Sequence, residues 1–412
     1  MANAGIILIA LVVLLAAGTP RCDAARGLTV TARGVVMRDG RPYRGIGVNY
    51  FSAFYRTLLK PDDTSYEAGF RALEAAGIPF CRLMGCGFWP NEQRLYREDK
   101  HEFFRRFDGV VRSAQRHHVG LIPSLFWNEA TVPDLVGEPV RAWADPASRT
   151  RAYMRDYVRD VVRRYRNSPA IWGWEFGNEF NLSADLPNAA EHRPQVVPAL
   201  GTPASRSAKD EVTYADIRAA FAAFAREVRR YDPDRLLSTG DGFPRESAWH
   251  NWKEKTWAQD TPTQAAEMLL ADNPAPINVI SVHAYGDCTA TLRADAALAR
   301  RWGRPLFVGE FGSPGPPDKS EKEFRAILAA IEQARVPLAA LWVYDRDGDA
   351  DWDVTATDAR AYQLRAIAEA DARLVETGAS ALRQRDGIAR RGLAARAVSP
   401  RFRSRAARIQ EQ

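Results

Sequence analysis

Short apolar runs alternate along the chain with longer stretches in which apolar residues recur every three or four positions. The short runs predict strands and the longer stretches predict amphipathic helices. Gly45 to Tyr50 (GIGVNY) predicts a first strand, and Ser65 to Ala76 a helix stopped by Gly77. Pro79 to Met84 (PFCRLM) predicts a strand and Glu102 to His117 a helix. Val119 to Phe126 (VGLIPSLF) is followed by a helix over Arg149 to Tyr165. Ala170 to Phe176 (AIWGWEF) predicts strand four, with its helix at Tyr214 to Tyr231. Arg235 to Thr239 and Thr263 to Ala271 make the fifth pair, Ile277 to His283 and Thr291 to Arg301 the sixth. Pro305 to Glu310 and Glu321 to Ala334 make the seventh, Leu338 to Val343 and Asp358 to Ala370 the eighth. Between strand four and its helix runs a long loop, Asn181 to Glu211, rich in Pro, Ala and Ser. A loop of that length is a functional lid or is disordered.

Eight strand–helix pairs in strict alternation predict an α/β protein with a parallel sheet covered by helices. Eight units point to a closed (β/α)8 TIM barrel, a single catalytic domain over residues 25–372. A doubly wound sheet is the runner-up. It is disfavoured because Gly45-Ile46-Gly47 lacks the third glycine of a dinucleotide loop and no Walker sequence occurs.

The ends of the chain differ from its body. Ile6 to Ala17 is an uninterrupted apolar run of 12 residues, shorter than the roughly 20 that span a bilayer. Small residues and Cys22-Asp23-Ala24 follow, so residues 1–24 are expected to be a signal peptide and the protein secreted or periplasmic, without stable membrane insertion. The first residues, MANAG, carry no Lys or Arg, which leaves an uncleaved anchor as the alternative. Removal of this leader leaves Cys81, Cys86 and Cys288, an odd number with no Cys-x-x-Cys, which argues against a disulfide framework or zinc ribbon. The net charge of +6 is concentrated in the last 32 residues, where nine arginines face only Asp386 and Glu411. The body is therefore close to neutral, and no nucleic-acid partner is expected. Residues 373–412 are read as a basic, Ala/Arg-rich, disordered tail.

In a barrel of this kind the site forms at the C-terminal ends of the strands. Standing there are Asn49 and Tyr50, Arg82, Trp127 with Asn128, Asn178 with Glu179, Asp241, His283 with Tyr285, Glu310, and Trp342. Two carboxylates amid an arginine, a histidine, a tyrosine and tryptophans suit glycosidic bond cleavage. One carboxylic acid protonates the leaving oxygen, and a second carboxylate attacks or stabilises the anomeric carbon. Glu179 is the expected proton donor, with a raised pKa, and Glu310 the nucleophile, kept ionised by Arg82. Tyr285 can donate to Glu310, His283 can tune Glu179, and Asn178 can bind the sugar 2-hydroxyl. Either glutamate taken alone is equally an ordinary strand-end carboxylate, and His283 or Trp342 alone an ordinary core residue. Trp89, Trp249, Trp252 and Trp257 are sugar platforms or packing residues with equal weight.

The segment Trp174-Glu175-Phe176-Gly177-Asn178-Glu179 resembles the acid/base motif of glycoside hydrolase family 5, and Val308-Gly309-Glu310-Phe311-Gly312 its nucleophile motif. Arg82 in Phe80-Cys81-Arg82-Leu83, His283-Ala284-Tyr285 and Trp342 in Leu341-Trp342-Val343-Tyr344 match further family positions, and the resemblance covers roughly residues 27–370. It implies a retaining glycoside hydrolase acting on β-linked oligo- or polysaccharide, monomeric, with no metal or organic cofactor. The cellulase-type histidine after strand three is absent from Phe126-Trp127-Asn128, which favours β-mannan over β-glucan. A transglycosylase on the same site and a non-catalytic carbohydrate-binding barrel are the alternatives.

Other chemistries find less support. The alternating aspartates Asp345, Asp347, Asp349, Asp351 and Asp353 suggest calcium, but Gly348 stands fourth and Ala356 twelfth, where an EF-hand needs Gly sixth and Glu twelfth. A solvated rim loop is the favoured reading. No His-Glu-x-x-His and no Gly-x-Ser-x-Gly occurs, which argues against a catalytic zinc and a serine esterase.

Overall fold

The computed structural model describes residues 27–346 and 348–374. The expected leader (1–24) and all but the first two residues of the expected tail (373–412) lie outside the described residues, as does Asp347.

A small antiparallel sheet comes first: β1 (Leu28–Val30), β2 (Val36–Arg38) and β3 (Arg41–Pro42). Eight parallel strands follow: β4 (Gly45–Asn49), β5 (Phe80–Met84), β6 (Gly120–Phe126), β7 (Gly173–Gly177), β8 (Leu236–Ser238), β9 (Ile280–Ala284), β10 (Leu306–Phe311) and β11 (Leu338–Leu341). Their order in the sheet is β8-β7-β6-β5-β4-β11-β10-β9. The remaining seam, between β8 and β9, is bridged by Asn278: the Leu237 N–H donates to its Oδ1 at 2.7 Å, and its own N–H donates to the Leu237 carbonyl at 3.3 Å. The sheet thus closes into the (β/α)8 barrel that the alternation predicts.

Helices follow the strands as read, with shifts of a few residues. They are α1 (Ser52–Leu59), α2 (Tyr66–Ala75), α3 (Pro90–Glu98), α4 (Lys100–Arg116), α5 (Thr131–Val136), α6 (Arg149–Tyr165), α7 (Tyr214–Arg229), α8 (Ala248–Glu254), α9 (Pro262–Ala271), α10 (Thr289–Arg301), α11 (Pro317–Gln333) and α12 (361–374). Helix α6 shows why. Ser148 accepts from the Arg151 N–H at its start, and Tyr153, Met154, Tyr157, Val158, Val161 and Tyr165 form one buried stripe. Helices α1, α3, α5 and α8 lie in the strand–helix connections and were not expected from the periodicity.

Alternation along each strand separates two environments. On β5, Cys81 and Leu83 belong to the shell packed under the helices, whereas Phe80 joins Ile122, Leu236, Phe307 and Leu338 inside the barrel. This inner cluster fills the N-terminal end. The small sheet plugs it with Leu28 and Val36, and the Leu28 N–H donates to the Trp172 carbonyl at 2.8 Å. Two residues further along β5, the same inward face carries Arg82. The barrel is therefore apolar at one end and polar at the other, and the polar end is the open one.

The loop over 181–211 is a packed wall with short 3-10 turns at Phe180–Ser183, Ala189–His192, Pro198–Leu200 and Ala208–Asp210. Arg206 fixes it with two parallel bonds to Asp134 on α5, at 2.6 and 2.8 Å, and Asn91 of α3 donates to the Ala199 carbonyl at 2.9 Å. Among the described residues no helix is long and apolar enough to cross a membrane.

Candidate active site

Arg82 organises the polar end. It is fully buried, and each of its nitrogens has a defined acceptor. Nε donates to Glu175 Oε1 at 2.6 Å. Nη1 donates to Asn49 Oδ1 at 3.0 Å and Glu310 Oε1 at 2.7 Å, and Nη2 to Asn178 Oδ1 at 2.8 Å. Burial works against its charge, but Glu175 and Glu310 outweigh it and hold the pKa above the ordinary arginine value. Because Arg82 only donates, Asn49 and Asn178 must present oxygen to it. The Asn49 amide nitrogen then donates to the Gly309 carbonyl at 2.9 Å, and the Asn178 nitrogen is left for the cleft.

Glu310 reaches this point through a bulge. Val308 pairs with Val282, but Glu310 pairs with His283, so Gly309 is the extra residue and the strand is re-aimed. A Cβ on Gly309 would stand 2.9 Å from His283 Nε2, so the bulge requires glycine. Both Glu310 oxygens are engaged: Oε1 by Arg82, and Oε2 by the Tyr285 hydroxyl at 2.7 Å.

Glu179 follows β7 in a left-handed conformation (φ 55°), and its N–H donates to the Gly240 carbonyl at 2.9 Å. Gly240 itself has φ 79°, and a side chain there would strike the Gly177 carbonyl. The Glu179 carboxylate meets His283 Nδ1 at 2.8 Å, and the same nitrogen lies 3.5 Å from Glu310 Oε2. An oxygen of Glu179 and an oxygen of Glu310 lie within 4.8 Å of each other.

The expected direction for Glu179 requires correction. Its burial does push the carboxyl up, but the hydrogen bond and charge of His283, aided by Arg82 and Arg245, outweigh that and leave it below the ordinary carboxylate value in the free protein.

The cleft above these groups has a volume of about 370 Å³. Trp127 and Trp342 stand side by side on its wall, centroids 6.1 Å apart and 25° between planes, with Phe51 edge-on to Trp127 at 5.0 Å. Trp352, Phe88 and Arg346 complete it, and Trp352 packs edge-on against Tyr285 at 5.2 Å. A second recess of about 270 Å³, with Trp89, Glu129 and Arg193 on its walls, shares Phe88 with the cleft.

Of the residues singled out from sequence, Glu179, Glu310, Asn178, Tyr285, Trp127 and Trp342 line the cleft. Arg82, Asn49 and His283 stand directly behind them. Tyr50 does not belong to the group. Its ring packs against Phe70 and Tyr344, and its hydroxyl donates to Asp345 Oδ2 at 2.7 Å, so it is a core residue. Trp249, Trp252 and Trp257 also lie off the cleft lining. Asp345 of the aspartate-rich loop is held by Arg56 at 2.7 Å. Glu175 escaped the sequence reading, although it is the buried counter-ion that Arg82 requires.

Glu179, His283 and Glu310 are close enough to share a cation. Their oxygens, however, already face a guanidinium, a phenol O–H and an imidazole nitrogen, so the donor set suits a carboxylate pair better than a metal.

The comparisons with known proteins agree with this geometry. Mannan endo-1,4-β-mannosidase 7 of rice (Oryza sativa subsp. japonica) is 23% identical over 329 residues, covering 70% of this chain and 78% of that protein. A second rice protein, provisionally given the same name with the number 5, is 25% identical over 322 residues. That match covers 67% of this chain but only 59% of the rice protein's own length. Among solved structures, the endo-1,4-β-mannanase of Rhizomucor miehei superposes with a TM-score of 0.62 at 15% identity, over 84% of this chain and 99% of that one, a likeness of fold. The family model described as cellulase (glycosyl hydrolase family 5) matches residues 66–347, a span that runs from α2 past β11 and contains both glutamates, Arg82, His283 and Tyr285. With that span and that constellation in hand, the chain belongs to glycosyl hydrolase family 5.

Proposed function

We propose that the protein is a glycoside hydrolase that cleaves β-1,4-linked mannan within the polymer by a retaining double displacement. The observation that carries the mechanism is the approach of the two carboxylates to within 4.8 Å, oxygen to oxygen. Retaining enzymes hold their carboxyl groups about 5–5.5 Å apart, whereas an inverting pair stands roughly 6.5–9.5 Å apart to admit a water. Glu310 attacks the anomeric carbon while Glu179 protonates the departing oxygen; Glu179 then deprotonates the water that releases the sugar.

The hydrogen bond to His283 holds the Glu179 carboxyl below the ordinary carboxylate value in the free protein. A sugar that fills the cleft excludes water and disfavours a charged carboxylate, which favours the protonated Glu179 that the leaving oxygen needs. When Glu310 loses its charge to the glycosyl bond, Glu175 remains beside Arg82, and no buried guanidinium is stranded. Asn178 offers its amide nitrogen to the 2-hydroxyl, and Trp127 and Trp342 offer flat faces to the ring.

The mannan assignment rests on the names of the rice relatives and on Trp127-Asn128, where a cellulase-type histidine is missing. The recess beyond Phe88 supports binding of further sugar units. Residues 1–24, read as a leader, support action outside the cytoplasm, where such polymers occur. The test is hydrolysis of mannan, glucomannan, carboxymethyl-cellulose and mixed-linkage glucan by the mature chain and by Glu310→Ala. Cleavage of mannan that drops roughly 10⁴-fold or more in the variant is expected. A preference for a glucan would overturn the substrate, and activity that survives the substitution would overturn the nucleophile.

A further inference from the structure

The closed end of the barrel, opposite the catalytic mouth, carries a separate cavity of about 440 Å³. It opens between the β1–β2 turn, the starts of β4, β10 and β11, and the end of α10. Five arginines line it, Arg33, Arg44, Arg300, Arg304 and Arg335, and among the described residues no acidic one does. The walls between them are apolar, formed by Val35, Val36, Leu306 and Val336, and Val35 is 40% exposed.

So many guanidiniums around one space need counter-charge, and the fold supplies little. Glu332, whose charge reaches Arg44, is taken by Arg373 at 3.0 and 3.1 Å, and Asp371 accepts the Ile46 N–H at 2.8 Å. The side chains of Arg33 and Arg335 are exposed and have no hydrogen bond or ion pair among the described residues. Arg304 spends Nη1 and Nη2 on the carbonyls of Asn273, Ile277 and Val279. Its Nε and the Nε of Arg44 are buried without a partner among the described residues, and both residues line this cavity. Unpaired buried donors are costly unless something accepts from them. Burial, and then the nearby charge of Arg335, push the pKa of Arg44 down, and burial alone brings Arg304 to about 10. An oxyanion would relieve both the repulsion and the missing acceptors.

We infer that this cavity is a binding site for an anionic amphiphile, its oxyanion held by Arg33, Arg44 and Arg335 and its apolar part lying against Val35, Val36, Leu306 and Val336. The site lies at the opposite end of the barrel from the catalytic glutamates and is independent of the sugar that the cleft takes.

Calorimetry on the full chain with octyl phosphate, inorganic phosphate and octanol tests it, beside the variant Arg33→Gln/Arg335→Gln. Both substituted side chains are exposed, so the fold and the hydrolysis of polysaccharide should not change. Saturable one-to-one binding of octyl phosphate is expected, tighter than either half-ligand and weakened by salt. The double variant should lose roughly tenfold, as befits two charge-assisted contacts. Adding phosphatidylglycerol vesicles separates the sources: co-sedimentation that depends on the two arginines indicates a membrane headgroup, and binding of free octyl phosphate alone indicates a soluble amphiphile. No saturable binding, inorganic phosphate binding as tightly as octyl phosphate, or binding unaffected by the double variant would each overturn the inference.

Discussion

Arg82 ties four side-chain acceptors from three strands and the β7 terminus into one network, which no other cation can copy. Lysine has one nitrogen and no fork. Arg82→Lys should therefore leave Glu175 or Glu310 without its donor, lowering kcat roughly 10²–10³-fold and costing about 3 kcal/mol for the partly unpaired buried carboxylate. Thermal melts and kinetics on one preparation check both, and a variant with unchanged kcat would remove Arg82 from the account. His283 carries the prediction on protonation. Glu179 should titrate below the ordinary carboxylate value in the free protein. In His283→Ala the largest opposing contributions are gone while burial remains, so its midpoint should move up. NMR titration of the Glu179 carboxyl reads the sign, and a downward or absent shift would remove His283 as the group that holds it low. Most of these residues were legible in the sequence because each stands at a strand end beside a motif. Tyr50 differs from that expectation because side chains alternate along a strand: Asn49 points into the barrel, so its neighbour points out into the core. The same rule, run backwards from Glu179, finds Glu175 facing inward. The charge state of Glu179 was beyond sequence reading, since it depends on a 2.8 Å contact between residues 104 positions apart.

The long elements were legible because their periodicity extends over many residues; α6 and β6 illustrate this, with α6 found at its expected bounds. Short helices such as α5, six residues long, give too few turns for a period to appear, and tertiary contacts decide them. The loop at 181–211, expected to be a lid or disordered, is an ordered wall: Arg206 and Asp134 lock it from within, their side chains only 4% and 1% exposed. Arg206→Ala leaves the Asp134 carboxylate buried and unpaired, at a cost of about 3 kcal/mol. The loop should then be cut by a protease at residues 186–205 while the barrel resists. Equal resistance of variant and parent in timed digestion would show that the pair is not what holds the wall. Since this loop closes the recess beyond Phe88, action on long substrates should fall in the variant more than action on short ones.

At the scale of the whole molecule, one strand pattern produces two ends of opposite character. The first inward residues of the strands are Phe80, Leu236, Phe307 and Leu338, and burying each contributes roughly 1.5–3 kcal/mol. Stability is thereby concentrated at the plugged end. The inward residues at the other end (Asn49, Arg82, Glu175, His283) are polar and buried, and their hydrogen bonds to one another are what make that tolerable. The barrel was legible from alternation alone, but the plug was not: β1 to β3 are two or three residues each, below the length at which a strand pattern can be seen. The central claim is that two glutamates held this close act by double displacement, and the configuration of the first product reads it directly. Proton NMR of mannohexaose during the first minutes of hydrolysis should show the β-anomer accumulating ahead of mutarotation. Initial release of the α-anomer would mean that water, and not Glu310, attacks the anomeric carbon, and the account would fail at its centre.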